Sequence, residues 1–262
     1  MAVRQRERFE RIDVPRETPY RNVIGGVVCA VVLVIAAIVV GAVWNRVQLE
    51  SRLGDTGLTG ALEGQGATGL AEGGGYVASA DEHTTVLFLT AQSLDAGAAL
   101  DEARVLSLNT TQGTAALVSI SPTVRLTVDD APTTLADLYA AQGSAACVAP
   151  LAAAAGVTFD HVVVATGDVI EEAAALSGSD VSTLAASASD LLSKIRTDMD
   201  PQELLSLAEA LSSVGLANLA VSEAPTQAET VTDESGAVSE TGHVLLDAVQ
   251  LNVALGLLVP AA

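Results

Sequence analysis

The sequence is poor in the residue types that fill or cross-link most protein cores. Aromatic residues make up 3% of its 262 residues, so Ala, Val and Leu must fill any core that the chain builds. We expect no disulfide between the two cysteines, because Cys29 lies in a long uncharged apolar run and Cys147 lies far outside it. The three histidines, His83, His161 and His243, lack the spacing of metal ligands, so a histidine metal site is not expected.

Basic residues are scarce beyond residue 45, which argues against nucleic-acid binding by that part of the chain. Residues 1–22 carry six arginines against four acids, whereas the rest carries six Lys and Arg against 28 Asp and Glu, a formal charge of −22. Nucleic-acid binding needs clustered Lys and Arg that neutralise phosphates. The six remaining cations are instead scattered, at Arg46, Arg52, Arg104, Arg125, Lys194 and Arg196.

One apolar run, residues 23–44, predicts a single transmembrane helix. It reads VIGGVVCAVVLVIAAIVVGAVW, holds no charged residue and matches the ~20 residues that a helix needs to cross the hydrocarbon core. The arginine-rich residues 1–22 place the N-terminus in the cytoplasm and the rest of the chain outside the cell membrane. A cleaved signal peptide is the competing interpretation, but the run is long and continues into Trp-Asn-Arg. The small residues Gly26 and Ala30 would allow a homodimer through this helix.

The rest of the chain divides into a linker, residues 45–80, and one extracytoplasmic domain, residues 81–262. The linker contains the glycine-rich stretch TGLTGALEGQGATGLAEGGG, and we expect it to be flexible. Within the domain, apolar runs rich in β-branched residues predict strands over residues 84–91, 103–109 and 114–120. A Gly-containing turn between the second and third of these strands predicts a hairpin. The alternating stretch 124–128 predicts a further strand of the same sheet.

Helices follow the predicted hairpin and then alternate with strands. The stretch TTLADLYAAQG predicts a helix with threonine as its N-cap and Gly143 as its end. A second helix ends at Gly156 and contains Pro150, which should kink or split it. Further helices are predicted over residues 167–178, 180–199, 200–215 and 243–258, with strands over residues 157–166 and 217–225. This order predicts an α/β domain with helices layered on a sheet, and about 180 residues is enough for one.

No catalytic motif stands out in this acidic domain. The carboxylates are scattered, and the absence of a Gly-x-Ser-x-Gly elbow leaves a serine hydrolase unsupported. The stretch SISPTVRL, residues 119–126, is the most informative, because it ends an apolar run and contains Arg125, one of the few cations. Arg125 is therefore either a ligand contact or part of an ordinary strand end.

Four stretches carry a resemblance to a known family. They are VLFLTAQS, LDEARVLSLNTTQGTAALVSISPTVRLTV, TLADLYAAQGSAACVAPLAAAAGVTFDHVVVATGDVIEEAAALSG and LLSKIRTDMDPQELLSLAEAL. In this order, and after a single N-terminal anchor, they resemble the LytR-CpsA-Psr (LCP) family over residues 84–222. The resemblance implies an α/β/α fold and an envelope protein. Active members use a divalent metal and cations to transfer a polyprenyl-pyrophosphate-linked glycopolymer to peptidoglycan.

Most residues that the family uses for this reaction are replaced here. The resemblance places Asp101 on the metal-associated acid, but the arginine two residues before it is lost. The family's Ser-Ile-Pro-Arg-Asp stretch ends here in Pro122 and Thr123, so its catalytic arginine and the following acid are missing. Residues 90–92 lack the acid of the family's first turn, and residues 177–193, where the family is arginine-rich, hold no basic residue.

These replacements predict that ligation is lost or strongly reduced. Arg125 and Arg104 are the candidate ligand contacts, and Asp101 is the candidate metal ligand, with Mg²⁺ as the cofactor if the chain is active. Our leading hypothesis is a membrane-anchored binding or accessory factor in cell-wall glycopolymer assembly, with a polyprenyl-linked lipid or an envelope protein as partner. The alternatives are an active phosphotransferase that uses Asp101 and Arg125, and an acidic module that binds a basic protein.

Overall fold

The computed structural model describes residues 53–66, 69–70, 74–95, 97–167, 169, 193–214, 216–232, 236 and 238–261. The strands are Tyr76–Ala78 (β1), His83–Ala91 (β2), Leu100–Asn109 (β3), Thr114–Ile120 (β4), Arg125–Val128 (β5), Ala131–Thr134 (β6), His161–Thr166 (β7), Ile195–Thr197 (β8), Leu219–Glu223 (β9), Thr226–Thr232 (β10), Val238–Leu246 (β11) and Leu258–Pro260 (β12). The helices are Thr56–Glu63 (α1), Leu135–Gln142 (α2), Ser144–Ala155 (α3), Pro201–Val214 (α4) and Ala248–Ala254 (α5).

A mixed sheet of six strands, in the order β8-β7-β2-β3-β4-β9, is the framework of the domain. The predicted hairpin β3-β4 and its neighbour β2 form an antiparallel centre, while β7 joins β2 and β9 joins β4 in parallel. As a result β2, β4, β7 and β9 all run in the same direction. Their carboxyl ends meet at one edge of the sheet, and the loops that follow them begin there.

Helices cover both faces of this sheet, because its central strands are apolar on both sides. Along β3, Val105 belongs to one core and its neighbour Leu106 to the other, and both are fully buried. The first core takes side chains from α1, α2, α3 and α5, and the second takes them from α4. The described part of the chain thus has the predicted α/β/α layering. Aliphatic side chains fill most of it, and Phe159 and Tyr139 are the buried aromatics among the described residues.

Capping side chains set the helix boundaries that the sequence predicts. The Thr134 hydroxyl accepts a hydrogen bond from the Asp137 backbone N–H at 3.1 Å, and Gly143, at φ +81°, ends α2. At α4, the Asp200 carboxylate accepts from the Glu203 N–H at 2.9 Å, and the Glu203 carboxylate accepts from the Asp200 N–H at 2.8 Å. This reciprocal pair is a capping box, which fixes the start of α4 through residues that are local in sequence.

Replacing Thr134 by alanine is expected to lower the free energy of unfolding by about 1 kcal/mol, because the Asp137 N–H loses its acceptor at the start of α2. Urea denaturation followed by circular dichroism measures the difference. Thr134→Ser keeps the hydroxyl and should retain most of the stability. Thr232→Ala, at an exposed position of β10, should change it by no more than about 0.5 kcal/mol. An equal loss in Thr134→Ser would contradict the capping role.

The prediction for the strand after the central hairpin is wrong, and one of the two effects predicted for Pro150, a split helix, is not observed. The strand at 124–128 does not continue the main sheet, because β5 pairs with β6 in a separate ribbon. The tight turn between these two strands contains Asp129 and Asp130, both at positive φ, and it folds the chain straight back on itself. Helix α3 also runs through Pro150 without being split. Its buried neighbours Val148 and Leu151 anchor it on both sides of the missing hydrogen bond.

Two further helices were predicted too long, the one over residues 180–199 at its end and the one over residues 243–258 at both ends, since α5 ends at Ala254 and Leu258 begins β12. Residues 195–197 form β8 at the edge of the sheet, where Ile195 and Thr197 are buried and the intervening side chain is not. Residues 243–246 belong to β11, and the last helix starts only after Asp247, whose carboxylate accepts a hydrogen bond from the Gln250 N–H. Most of the predicted helix at 167–178 and most of the one at 180–199 lie outside the described residues.

The predicted basic tail, residues 1–22, and the predicted anchor, residues 23–44, also lie outside the described residues. In the described part of the chain, no helix is long and apolar enough to span a bilayer. Part of the predicted linker is described, and it packs on the domain. Leu58 of α1 is 1% exposed and joins the first core, and Val77 of β1 pairs with Val259 of β12.

Candidate functional site

A cavity of about 670 Å³ lies where β2, β4, β7 and β9 reach their carboxyl ends. Ligands of α/β sheets commonly bind at this edge, because the strands stop and the loops that follow leave a crevice. The cavity is lined by Thr90, Asp101, Glu102, Arg104, Ser119, Ile120, Ser121, Pro122, Gly167, Glu223, Ala224 and Thr226. Two of the three predicted site residues, Asp101 and Arg104, are therefore brought together here.

Arg104 is the only basic side chain among the described residues of this lining, and its charge is already compensated. Glu102 and Arg104 project to the same side of β3, and the Glu102 Oε2 lies 2.5 Å from a guanidinium nitrogen of Arg104. The Ser119 hydroxyl donates to the other Glu102 oxygen at 3.4 Å. The Arg104 Nε is buried and has no hydrogen-bond partner in the described part of the chain. This N–H is therefore an unsatisfied buried donor, and it is not exposed to a ligand in the cavity.

Asp101, the predicted metal ligand, is exposed and faces Gly167 across the cavity wall. Its Oδ2 would lie 3.9 Å from a Cβ at position 167. Mg²⁺ requires several oxygen ligands in near-octahedral arrangement. The described ranges contain no group of three or more His, Cys, Asp and Glu side chains placed to hold a metal ion, and Glu102 is engaged by Arg104. The described residues therefore do not fit a magnesium centre.

The loop after β4 holds the positions where the family resemblance predicts an arginine and an acid. Pro122 lines the cavity and offers neither a cation nor an N–H. Thr123 is tied into a local turn, in which its hydroxyl lies 2.8 Å from the Ser121 hydroxyl and its N–H donates to the same oxygen at 3.3 Å. The Pro122 carbonyl accepts from the Ala136 N–H at 2.9 Å, which holds the loop against α2. The loop is ordered, but it presents no cationic group.

Arg125, the third predicted site residue, does not line the cavity. It lies on the β5-β6 ribbon, where its Nε is 3.5 Å from Glu229 of β10. The side chains of Arg125 and Glu229 are 25% and 19% exposed, so the pair is partly buried. Arg125 occupies the first position of a short strand that turns away from the main sheet, and Thr134 is its partner in the ribbon. The described contacts of Arg125 are thus those of an ion pair between two ribbons.

Glu223 is a site residue that sequence reasoning did not single out. It ends β9 and lies opposite Ser119 in the parallel ladder of β4 and β9, about a hundred residues away along the chain. No local pattern predicts this juxtaposition, since it depends on which strand pairs with the edge of the hairpin. With Asp101, Glu102 and Glu223 against Arg104, the described lining carries a formal charge of −2.

No protein-family model and no curated protein matches the chain, whereas several solved structures are similar to it. Lin1025 from Listeria innocua is 13% identical, with a TM-score of 0.48, over 67% of this chain and 99% of that one. The transcriptional regulator yvhJ from Bacillus subtilis is 15% identical, with a TM-score of 0.49, over 68% and 96%. TagV from B. subtilis is 12% identical, with a TM-score of 0.48, over 68% and 96%.

These neighbours include LCP proteins. At TM-scores below 0.5 the likeness carries no argument about activity. The chemistry of this chain is therefore argued from its own cavity.

Proposed function

We propose that this chain is a single-pass, membrane-anchored envelope protein whose LCP-like extracytoplasmic domain binds a component of cell-wall glycopolymer assembly without ligating it. The order of segments over residues 84–222 and the apolar run at residues 23–44 support the family and the anchor. The cavity at the carboxyl edge of the sheet supports a binding role, because it is large enough for a small group such as a lipid-linked sugar.

The charge of the cavity is the observation that carries this proposal. Transfer of a phosphoryl-linked polymer needs cations that neutralise the pyrophosphate and hold it by bidentate contacts. In the described lining the single arginine, Arg104, is neutralised by Glu102, while Asp101 and Glu223 add two uncompensated negative charges. At about 4 Å each of these repels an anionic ligand by about 1 kcal/mol in water and by about 4 kcal/mol near a protein surface. Such a site disfavours a pyrophosphate.

An active phosphotransferase is the alternative function, and it has less support. It would need Arg125 to replace the missing arginine of the loop after β4. The ion pair of Arg125 with Glu229, outside the cavity lining, offers no such contact. The purely structural alternative, an acidic module for a basic protein, does not account for the cavity.

The full-length protein in lipid vesicles, supplied with Mg²⁺, a polyprenyl-pyrophosphate-linked oligosaccharide and peptidoglycan fragments, is expected to release no polyprenyl phosphate. The reason is the deficit of cations in the cavity. Chromatography of the lipid products measures the release. Turnover that depends on the protein, and that disappears in Arg125→Ala, would contradict the proposal and establish the phosphotransferase instead.

Binding of inorganic pyrophosphate tests the electrostatic cause in the same preparation. Removing two negative charges in the double variant Glu102→Gln, Glu223→Gln should tighten binding at least about fivefold, close to 1 kcal/mol. Glu240→Gln, at an exposed position of β11 outside the cavity, is the matched control and should leave binding unchanged. Equal affinities in all three proteins would show that the acids of the cavity do not control its ligand.

A further inference from the structure

The two edge strands of the main sheet differ in how they are protected. At one edge, β8 is three residues long, and Leu53 forms a bridge to its Thr197. At the other edge, β9 runs for five residues beside β4 in a regular parallel register. The described part of the chain places no strand on the outer side of β9. Proteins usually protect such an edge with lysine, proline, a bulge or a covering segment, and β9 has none of the first three.

Two residues of β9, Val221 and Glu223, direct their backbone groups away from the sheet. The Ala224 N–H donates to the Ser119 carbonyl at 2.7 Å, so the backbone of Ala224 faces β4. The direction of the N–H and C=O groups alternates from residue to residue along a strand, which turns those of Val221 and Glu223 outward. These two N–H and two C=O groups have no hydrogen-bond partner among the described residues.

The outward groups of β9 fit the backbone of another extended polypeptide. Donors and acceptors that recur at every second residue, about 6.6 Å apart, match the repeat of a neighbouring strand. An added strand gains affinity from these backbone hydrogen bonds, and it gains specificity from pockets that take its alternate side chains. A docking function for β9 therefore requires a pocket beside the strand.

Such a pocket exists as a second cavity, of about 470 Å³, at the amino end of β9. It is lined by Ser107, Asn109, Thr114, Ala115, Ala116, Ala217, Asn218, Leu219, Ala220, Ala254, Leu255 and Gly256. Small side chains leave this space above the sheet, since Ser107 lies opposite Ala116, and Ala116 lies opposite Ala220. Ala220 is exposed, so the cavity opens beside the outer edge of β9. The lining carries no charged side chain among its described residues, and it suits an apolar group.

Glu223 adds a negative charge at the other end of the same strand. The side chains of Ala220 and Glu223 project to opposite faces of the sheet, because an odd number of positions separates them. Three residues of a strand cover about 10 Å. A partner strand with an apolar and a basic residue three positions apart can therefore place the first over the cavity and the second beside Glu223.

Charge favours a basic segment of another protein over a second copy of this chain. Pairing β9 of two copies would bring together two domains that each carry a formal charge of −22 beyond residue 45. In an antiparallel self-pair centred on Val221, Glu223 would also face Leu219 and gain no cation. A basic segment is instead attracted both by Glu223 and by the net charge of the domain.

We infer that β9 and the cavity at its amino end form a docking edge for an extended, basic segment of a partner protein. The segment adds a strand to the outer side of β9 and places one apolar side chain in the cavity. This inference goes beyond the proposed function, because it requires neither the membrane anchor nor a ligand in the cavity at the carboxyl edge.

Fluorescence anisotropy of a labelled synthetic peptide tests the docking edge on the full-length protein in phosphatidylcholine nanodiscs. The probe is an eight-residue peptide of alternating threonine and valine, in which one phenylalanine and one lysine stand three positions apart. Phosphatidylcholine carries no net charge, so the lipid does not attract the lysine. The peptide is expected to bind, and exchanging its lysine for glutamate should weaken binding at least about fivefold.

Val221→Pro removes one outward N–H and should weaken peptide binding at least about tenfold. The strand should stay paired with β4, because a proline is tolerated in an edge strand where the lost N–H points away from the sheet. Val221→Thr is the matched control, since it keeps the N–H and the branched side chain, and it should bind within about twofold of wild type. Ala220→Leu narrows the cavity and should weaken binding of the phenylalanine peptide.

A change in the peptide alone makes the test independent of folding. N-methyl groups are placed on one alternate set of its N–H groups and then on the other, and only the set that faces β9 should abolish binding. Equal effects of the two sets, or no binding by the unmodified peptide, overturn the docking edge. Dimers of the chain that Val221→Pro dissolves would assign the edge to a second copy and overturn the basic partner.

Discussion

Replacing Phe159 by alanine is expected to lower the free energy of unfolding by about 3–5 kcal/mol. Phe159 is 2% exposed and has the largest fully buried side chain in the domain's described part. The chain has three phenylalanines in all, so this ring fills a volume that the surrounding Ala, Val and Leu side chains are too small to reach. A domain of this size is stable by about 5–15 kcal/mol, so the change removes a large fraction of the total. Urea denaturation of a chain that starts at residue 53 measures it.

Two control variants separate the cavity left by Phe159 from a general effect of truncation. Phe159→Leu keeps most of the apolar volume and should cost less than half as much as alanine. Val231→Ala, at a position that is 52% exposed on β10, should change stability by less than about 0.5 kcal/mol. A loss below about 1 kcal/mol in Phe159→Ala would mean that the site collapses around the missing ring.

Asp198→Ala is expected to lower the free energy of unfolding by about 2–4 kcal/mol, because this carboxylate forms hydrogen bonds with two groups at the start of β7. Its Oδ1 accepts from the Val162 N–H at 2.6 Å, and its Oδ2 lies 2.8 Å from the His161 Nδ1. The Asp198 side chain is 8% exposed. The substitution therefore leaves the Val162 N–H with no acceptor in a buried position. Thermal and urea unfolding at several pH values measure the loss.

The loss in Asp198→Ala should also depend on pH. The hydrogen bond from His161 to Asp198 raises the pKa of the imidazole, although burial acts in the opposite direction. The folded protein thus holds this proton more tightly than the unfolded chain. The added stability is fully present below the unfolded pKa of about 6.5 and is lost as the pH rises through the higher pKa of the folded state.

The difference in the free energy of unfolding between wild type and Asp198→Ala should accordingly be largest near pH 5–6 and smaller in alkaline solution. His161→Gln is the matched control, because it removes the titrating group and leaves the bond from Val162 to Asp198 in place. It should abolish this part of the pH dependence. A difference that grows as the pH rises would contradict the assigned sign.

Much of the secondary structure follows from short stretches of sequence. The central hairpin, the caps at Asp200 and Gly143, and the strand at β7 are all specified by residues within a few positions of one another. The errors arose where a long-range contact overrode a local pattern. The residues before Ile195 predict a helix, but Ile195 lies in the edge strand β8, where its side chain is buried.

The candidate site was only partly predictable for the same reason. Asp101 and Arg104 lie close together on one strand, and the resemblance to the LCP family drew attention to that strand. Arg125 was a candidate to replace the missing arginine of the loop after β4, because it lies only a few residues beyond that position. A two-residue turn at Asp129 and Asp130 instead sends β5 into its own ribbon, where Arg125 meets Glu229. A displacement of a few residues thus changed its surroundings entirely.

By itself, the sequence determined the composition of the core, the acidity of the domain beyond residue 45 and the missing cations of the loop at Pro122, because these are properties of residue identity. The tertiary structure alone decided that Glu223 joins Arg104 at one cavity and that Leu58 docks a segment read as a flexible linker. Both outcomes depend on partners about a hundred residues away, and no short stretch encodes them. Both contacts depend on how all the strands pair and on which apolar surfaces the assembled sheet leaves to be buried.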